Sequence, residues 1–180
     1  SIEFKANNYL ESLPKLMFDN AKLDQLILPK GKWTKIPDYF AANSQIKTVV
    51  LPDNVREIGE YAFAQPEEEH PWIFTEFRFN KGLQKIGAYA FSNTSPRTSY
   101  RNTDNAYELR LPNSITEIGE SSFEGMSGIY SLFIPGSIKK IPRRAFARWT
   151  TARYLTIDEG VERIEDEAFY QNGERRSTLY

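Results

Sequence analysis

A phenylalanine returns along this chain at nearly even intervals, each time at the end of the same phrase. "LPDNVREIGEYAF" ends at Phe63, "LPNSITEIGESSF" at Phe123, "IPGSIKKIPRRAF" at Phe146 and "IDEGVERIEDEAF" at Phe169. "FNKGLQKIGAYAF" ends at Phe91, the looser "LPKGKWTKIPDYF" at Phe40, and a weaker copy with Leu13-Pro14 ends at Phe18. The Phe-to-Phe steps are 22, 23, 28, 32, 23 and 23, so the unit is about 23 residues with two units lengthened. A period of this size is the mark of stacked units, because one such unit cannot bury its own apolar side.

Each copy opens with apolar residues in alternation: Leu26 and Leu28, Val49 and Leu51, Phe77 and Phe79, Leu109 and Leu111, Leu132 and Ile134, Leu155 and Ile157. A period of two predicts a strand with one face inward. Pro or a polar pair then ends the strand. A second inward point follows at Val55, Leu83, Ile115, Ile138 or Val161, and a third at the Ile three residues on. Gly or Pro after that Ile is expected to turn the chain, and the Ala-Phe pair to close the coil on a short helical turn. Seven of the twelve phenylalanines fall in one column, which predicts a ladder through the core.

The charges carry a second, independent sign of stacking. Just before the Ile of each copy stand Lys35, Glu57, Lys85, Glu117, Lys140 and Arg163; two residues after it stand Asp38, Glu60, Ala88, Glu120, Arg143 and Asp166. In register, Arg143 is expected between Glu120 and Asp166, and Lys140 beside Glu117. Each exposed pair contributes only about 0–1 kcal/mol, but opposed charges favour correct register over slips. The basic run from Gly125 to Ile157 is therefore read as pairing between units and not as a polyanion site.

The pattern LP-x-x-[VI]-x-x-IG-x-x-AF at this spacing resembles the BspA-type leucine-rich repeat. The resemblance covers about Leu10 to Phe169. It implies an α/β-type repeat solenoid: a right-handed leucine-rich-repeat stack with one parallel β-sheet, and short helical turns or irregular segments on the other side. Residues 1–180 then read as a single domain of about seven repeats, expected to be part of a longer array. Ile2 and Phe4 read as the strand of the first unit and Ser177 to Tyr180 as the start of an eighth. The resemblance also implies a bacterial surface or secreted protein that binds a partner. The family shares no catalytic residues, so none is carried over. This chain departs from the pattern in its two long units, and in Ile36 standing four residues from Phe40 instead of five.

Composition narrows the function. With 40% hydrophobic and 26% charged residues the chain is of the folded, globular kind. A net charge of -1 gives no general pull toward nucleic acid, and no apolar stretch is long enough to cross a bilayer. No signal peptide is visible, and no cysteine is present for disulfides or thiolate chemistry. No cofactor or metal site is expected: the glycines fall at turns and the single histidine, His70, lies between Glu69 and Pro71.

Two surfaces are candidates for a protein partner, with a glycan as the alternative. The first is the sheet face, where stacking lines up Gln25, Thr48, Glu76, Glu108, Ser131 and Tyr154, and beside them Ile27, Val50, Arg78, Arg110, Phe133 and Thr156. Of these, Ile27, Val50, Arg78, Arg110, Phe133 and Tyr154 are the candidate contact residues. The second is the edge formed by the insertions after Phe63 and Phe91, which add 5 and 9 residues relative to 23 and carry His70, Trp72, Arg97, Tyr100 and Arg101. Aromatic and Arg side chains of this kind make binding hot spots. A structural spacer within a larger surface protein is a second reading. A third is a parallel β-helix enzyme acting on polysaccharide, but that needs clustered carboxylates. Here they are spread along the repeat edges, and Glu67, Glu68 and Glu69 are consecutive.

Overall fold

The structure is a computed structural model that describes residues 2–3, 9–66, 73–74, 76–96 and 107–170. Its chain winds as a parallel β-solenoid, one repeat unit to a rung. The opening strands are Lys22–Ile27, Gln45–Val50, Glu76–Arg78, Glu108–Arg110, Ser131–Ile134 and Tyr154–Ile157. Ile2–Glu3 joins beside Lys22–Ile27, with Ile2 opposite Leu26. A second column of two-residue strands runs through the "EI" or "KI" of each unit, as at Lys35–Ile36, Glu57–Ile58 and Lys85–Ile86. Equivalent residues pair in register: Val49 opposite Leu26 and Phe77, Ile58 opposite Ile36 and Ile86.

Two expectations need correction. The opening strands do not form one sheet: one sheet ends at Glu76–Arg78 and a second begins at Glu108–Arg110. The break falls at the 32-residue step, where the long insertion separates the two strands. Nor does the coil close on helical turns, since the described residues contain no helix. The corner is made instead by residues in the left-handed region: first Leu16, Tyr39, Tyr61, Tyr89, Ser121, Arg144 and Glu167, with φ from 52° to 58°, and in five of the rungs a second one four residues on, at Asn20, Asn43, Asn93, Gly125 and Arg148. That conformation bends the chain too sharply for a helical turn to continue. The backbone N–H of the corner then donates to the next rung, as from Tyr39 to Glu60, Tyr61 to Ala88 and Tyr89 to Glu120. The Gly after the Ile has a different duty. A Cβ on Gly87 would lie 2.7 Å from the backbone of Gly59 and Glu60, so glycine lets the rungs approach.

The apolar columns face inward and fill a continuous core. The phenylalanine ladder is complete: Phe63, Phe91, Phe123, Phe146 and Phe169 stack face to face, centroids 5.3–5.7 Å apart and planes within 13°. Phe40 is the exception, meeting Phe18 and Phe63 edge-on at 82° and 77°. Its short spacing from Ile36 explains this. Phe18 N–H donates to Phe40 and Ala41 N–H to Ala62, while Phe63 N–H donates to Ala90. Ala41 thus holds the rung position of Phe63, and Phe40 enters the column one residue early.

Side chains also tie successive rungs together. Asn54 donates to the carbonyl of Trp33, Ser114 to Leu83 and Ser137 to Ile115, at 2.5–2.6 Å. The expected charge register holds at Lys35–Glu57 (2.7 Å) and Lys85–Glu117 (2.8 Å). Hydrogen bonding to these glutamates is the main reason that both lysines have raised pKa values. It fails at two places. Lys140 pairs with Glu165 and not Glu117, because the short-strand ladder breaks between Glu117–Ile118 and Lys140–Ile141. Arg143 reaches Glu120 and Glu167, not Asp166, since the left-handed corner at Glu167 brings that carboxylate within 3.3 Å. In the last described rung Leu155 is 48% and Ile164 52% exposed, although their column mates in the inner rungs are buried.

Candidate functional site

The sheet face is assembled as the repeat register requires. Ile27 lies opposite Val50 and Val50 opposite Arg78; beyond the sheet break Arg110 lies opposite Phe133 and Phe133 opposite Thr156. Val50, Arg78, Arg110 and Tyr154 are exposed, while Ile27 and Phe133 are half-buried. Phe133 is covered by its neighbour: the Arg110 guanidinium sits 4.1 Å from the ring centroid, the geometry of a cation–π contact. Arg110 is held there by Glu108 at 2.7 Å. Tyr154 packs edge-on against Tyr130. Where strand pairing stops, a cleft of about 340 Å³ opens between the two sheets, lined by Phe77, Arg78, Lys81, Arg110, Phe133 and Asp158 among others. The face therefore brings Arg78, Arg110 and Phe133 to one cleft and leaves Ile27, Val50 and Tyr154 along the ladder to either side. His70, Trp72, Arg97, Tyr100 and Arg101 lie outside the described residues. Ile73–Phe74 and Ser95–Pro96, which flank those insertions, pair with each other in parallel.

A second surface was not foreseen. At the left-handed corners Tyr39, Tyr61 and Tyr89 stack as a ladder, with centroids 4.9 and 4.7 Å apart and planes within 5°. Four residues further on, Asn43, Gln65 and Asn93 form a parallel row, and Ala42, Ala64 and Ser92 lie between the rows. Together they line a groove of about 520 Å³. Burial, and then the neighbouring Tyr89 and Tyr39, raise the Tyr61 phenol above its ordinary pKa. In the next rung the buried Glu124 takes the floor position, and Arg144 and Arg148 close on it at 2.6 and 3.0 Å. Arg148 also donates to Asn93 at 3.1 Å. The signal was present in the sequence: the residue third after each Ile reads Tyr, Tyr, Tyr, Ser, Arg, Glu from Tyr39 to Glu167. Alignment by apolar and charged columns alone passes over it.

Among the described residues no group of three or more His, Asp or Glu side chains is placed to hold a metal ion, and no helix is long and apolar enough to cross a membrane. The molecule is of the repeat-scaffold class, with its lateral faces written by side chains that the rungs bring into columns. More narrowly, the chain belongs to the BspA-type leucine-rich repeat family, whose model matches in 6 copies over residues 1–96 and 69–177. No curated protein matches it. Among solved structures it is similar to a leucine rich cell surface protein from Faecalibacterium prausnitzii A2-165, with 17% identity and a TM-score of 0.36. That match covers 84% of this chain and 52% of the other, so this chain spans about half the length of that protein.

Proposed function

We propose that the chain is a non-enzymatic binding or adhesion module, one repeat domain that presents its sheet face to a protein partner at a cell surface or in secreted form. The observation that carries this reading is the cleft at the sheet break. There Arg110 lies over Phe133 and lines the cleft together with Arg78, which stands on the facing edge of the other sheet. Arg and aromatic side chains fixed at a cleft lose little conformational freedom on binding, which is the make-up of an interface hot spot. Membership of the BspA-type leucine-rich repeat family supports the location.

The test is a binding screen of the soluble chain against immobilised extracellular-matrix proteins, wild type beside Phe133→Asp and Arg110→Ala. A partner that binds wild type and loses about tenfold or more in affinity to either variant supports the reading. A partner indifferent to both removes the sheet face from it, and turnover of a polysaccharide by the purified chain removes the binding class itself.

A further inference from the structure

The tyrosine groove is separate from the sheet face, and its inner surface is unlike a protein-binding cleft. Along three rungs its walls are phenols and carboxamides and its floor is Ala42, Ala64 and Ser92. Among the described residues its charged lining is Glu124, Arg144 and Arg148 at one end, where Glu124 pairs with both arginines and Glu167 also reaches Arg144. Gln65 is 4% exposed, and its carboxamide oxygen finds no hydrogen-bond partner. A buried acceptor left empty is destabilising, and the cost is removed when a donor reaches it. We propose that this groove binds a neutral oligosaccharide laid along the solenoid axis. The inference rests on the chain being a binding module and not on which partner the sheet face takes.

Two features favour a sugar chain over an extended peptide. Peptides docked on β-structure are gripped through main-chain hydrogen bonds. Here the N–H groups of Tyr39, Tyr61, Ala41, Phe63, Asn43 and Gln65 are already spent on the next rung. The repeat distance also matters. The tyrosines recur every 4.7–4.9 Å, whereas an extended peptide advances about 3.3 Å per residue and so drifts out of step with the rungs. A pyranose polymer, whose units advance by about one rung, meets a phenol and a carboxamide at each step. Its hydroxyls suit both, and a turn of the Gln65 carboxamide, whose oxygen is sealed from water as it stands, would bring that oxygen to one of them. Glu124 with its two arginines stops the chain after the third rung.

The experiment is calorimetric titration of the whole chain with cello-, malto-, manno- and xylohexaose, beside oligogalacturonate and an unstructured peptide mixture. Two variants probe the groove. Tyr61→Ser installs the residue that occupies the same left-handed corner at Ser121, and Ala64→Leu fills the floor without touching the tyrosines. Phe133→Asp serves as the sheet-face control, and thermal melts confirm that each variant folds. At least one neutral hexaose is expected to bind with a Kd at or below about 1 mM, insensitive to salt. Its affinity should fall about tenfold or more in Ala64→Leu and in Tyr61→Ser, and stay level in Phe133→Asp. The proposal is overturned if no neutral hexaose binds, if only the oligogalacturonate or the peptides bind, or if Ala64→Leu leaves the affinity unchanged. A matrix-protein partner lost only in Phe133→Asp would leave the sheet-face reading standing in any of those cases.

Discussion

Truncating Phe91 should damage this protein far more than truncating Phe169, although both occupy the same column. Phe91 is fully buried and stacks on Phe63 and Phe123 at 5.4 and 5.5 Å, with Phe77 and Phe79 edge-on at 4.8 and 5.7 Å. Phe91→Ala removes all four ring contacts and leaves a cavity between rungs, at a cost of about 3–5 kcal/mol. Phe169 is half-buried and among the described residues stacks only on Phe146, so Phe169→Ala should cost about 1–2 kcal/mol, in proportion to the apolar area it hides. At about 2–4 °C per kcal/mol for a chain of this size, the central variant should melt about 6–20 °C lower. Because each rung touches only its neighbours, the central loss also weakens the coupling between the two halves. Urea unfolding followed by hydrogen exchange, read separately over 9–66 and 107–170, should show the halves opening at different denaturant concentrations in Phe91→Ala and together in wild type. Equal losses in the two variants, or a cost below about 1 kcal/mol at Phe91, would refute the ladder as the seat of stability.

Other outcomes follow from the ion pairs and corners. Glu124→Leu removes the carboxylate that Arg144 and Arg148 share and should cost about 2–4 kcal/mol by chemical denaturation; this is toward the low side for breaking a buried pair, because the arginines keep about a third of their surface and retain Glu167 and Asn93 as partners. Lys35→Glu, which turns the contacts with Glu57 and Asp38 into repulsions, should cost no more than about 1 kcal/mol, and the loss should shrink in high salt. Asp38 is held below its usual carboxylate range chiefly by Lys15, with the Glu60 N–H and Lys35 adding to it against the cost of burial. A depressed pKa stabilises the fold above the unfolded value and loses that stabilisation as pH falls through the folded one, so Asp38→Asn should flatten the acid limb of a stability-versus-pH curve. The Tyr61 phenol is raised, so its contribution is full below the unfolded pKa and lost as pH climbs through the folded one; Tyr61→Phe should soften the alkaline limb above about pH 10.

The rungs were legible in the sequence because their cause is periodic. Burial of Leu26, Val49 and Phe77, or of Ile36, Ile58 and Ile86, needs only the right residue at the right interval. The corners were not legible in the same way. A left-handed φ is usually flagged by Gly or Asn, as at Asn20, Asn43, Asn93 and Gly125, yet the first left-handed residue of each corner is Leu, Tyr, Ser, Arg or Glu, held by hydrogen bonds from rung to rung. Composition says nothing about such a residue, so a helical turn was the natural expectation. The sheet-face columns could be read from alternation. The cover that Arg110 gives Phe133 could not, since it depends on how a long side chain folds across a neighbouring strand. The sheet break could be placed only with the lengthened unit in three dimensions.

The early arrival of Phe40 has a wider meaning. Ile36 and Ala41 are five positions apart, as Ile58 and Phe63 are, so this coil lost no residue; its aromatic ring stands one position early, Ala41 keeps the rung hydrogen bond, and the ring still meets the core edge-on. The hydrogen-bonded path of a winding is thus kept whichever of two adjacent inward positions carries the ring. An architecture with that property lets one coil move its aromatic residue by a place without disturbing the rungs on either side, leaving the outward-facing residues of every other coil free to diverge.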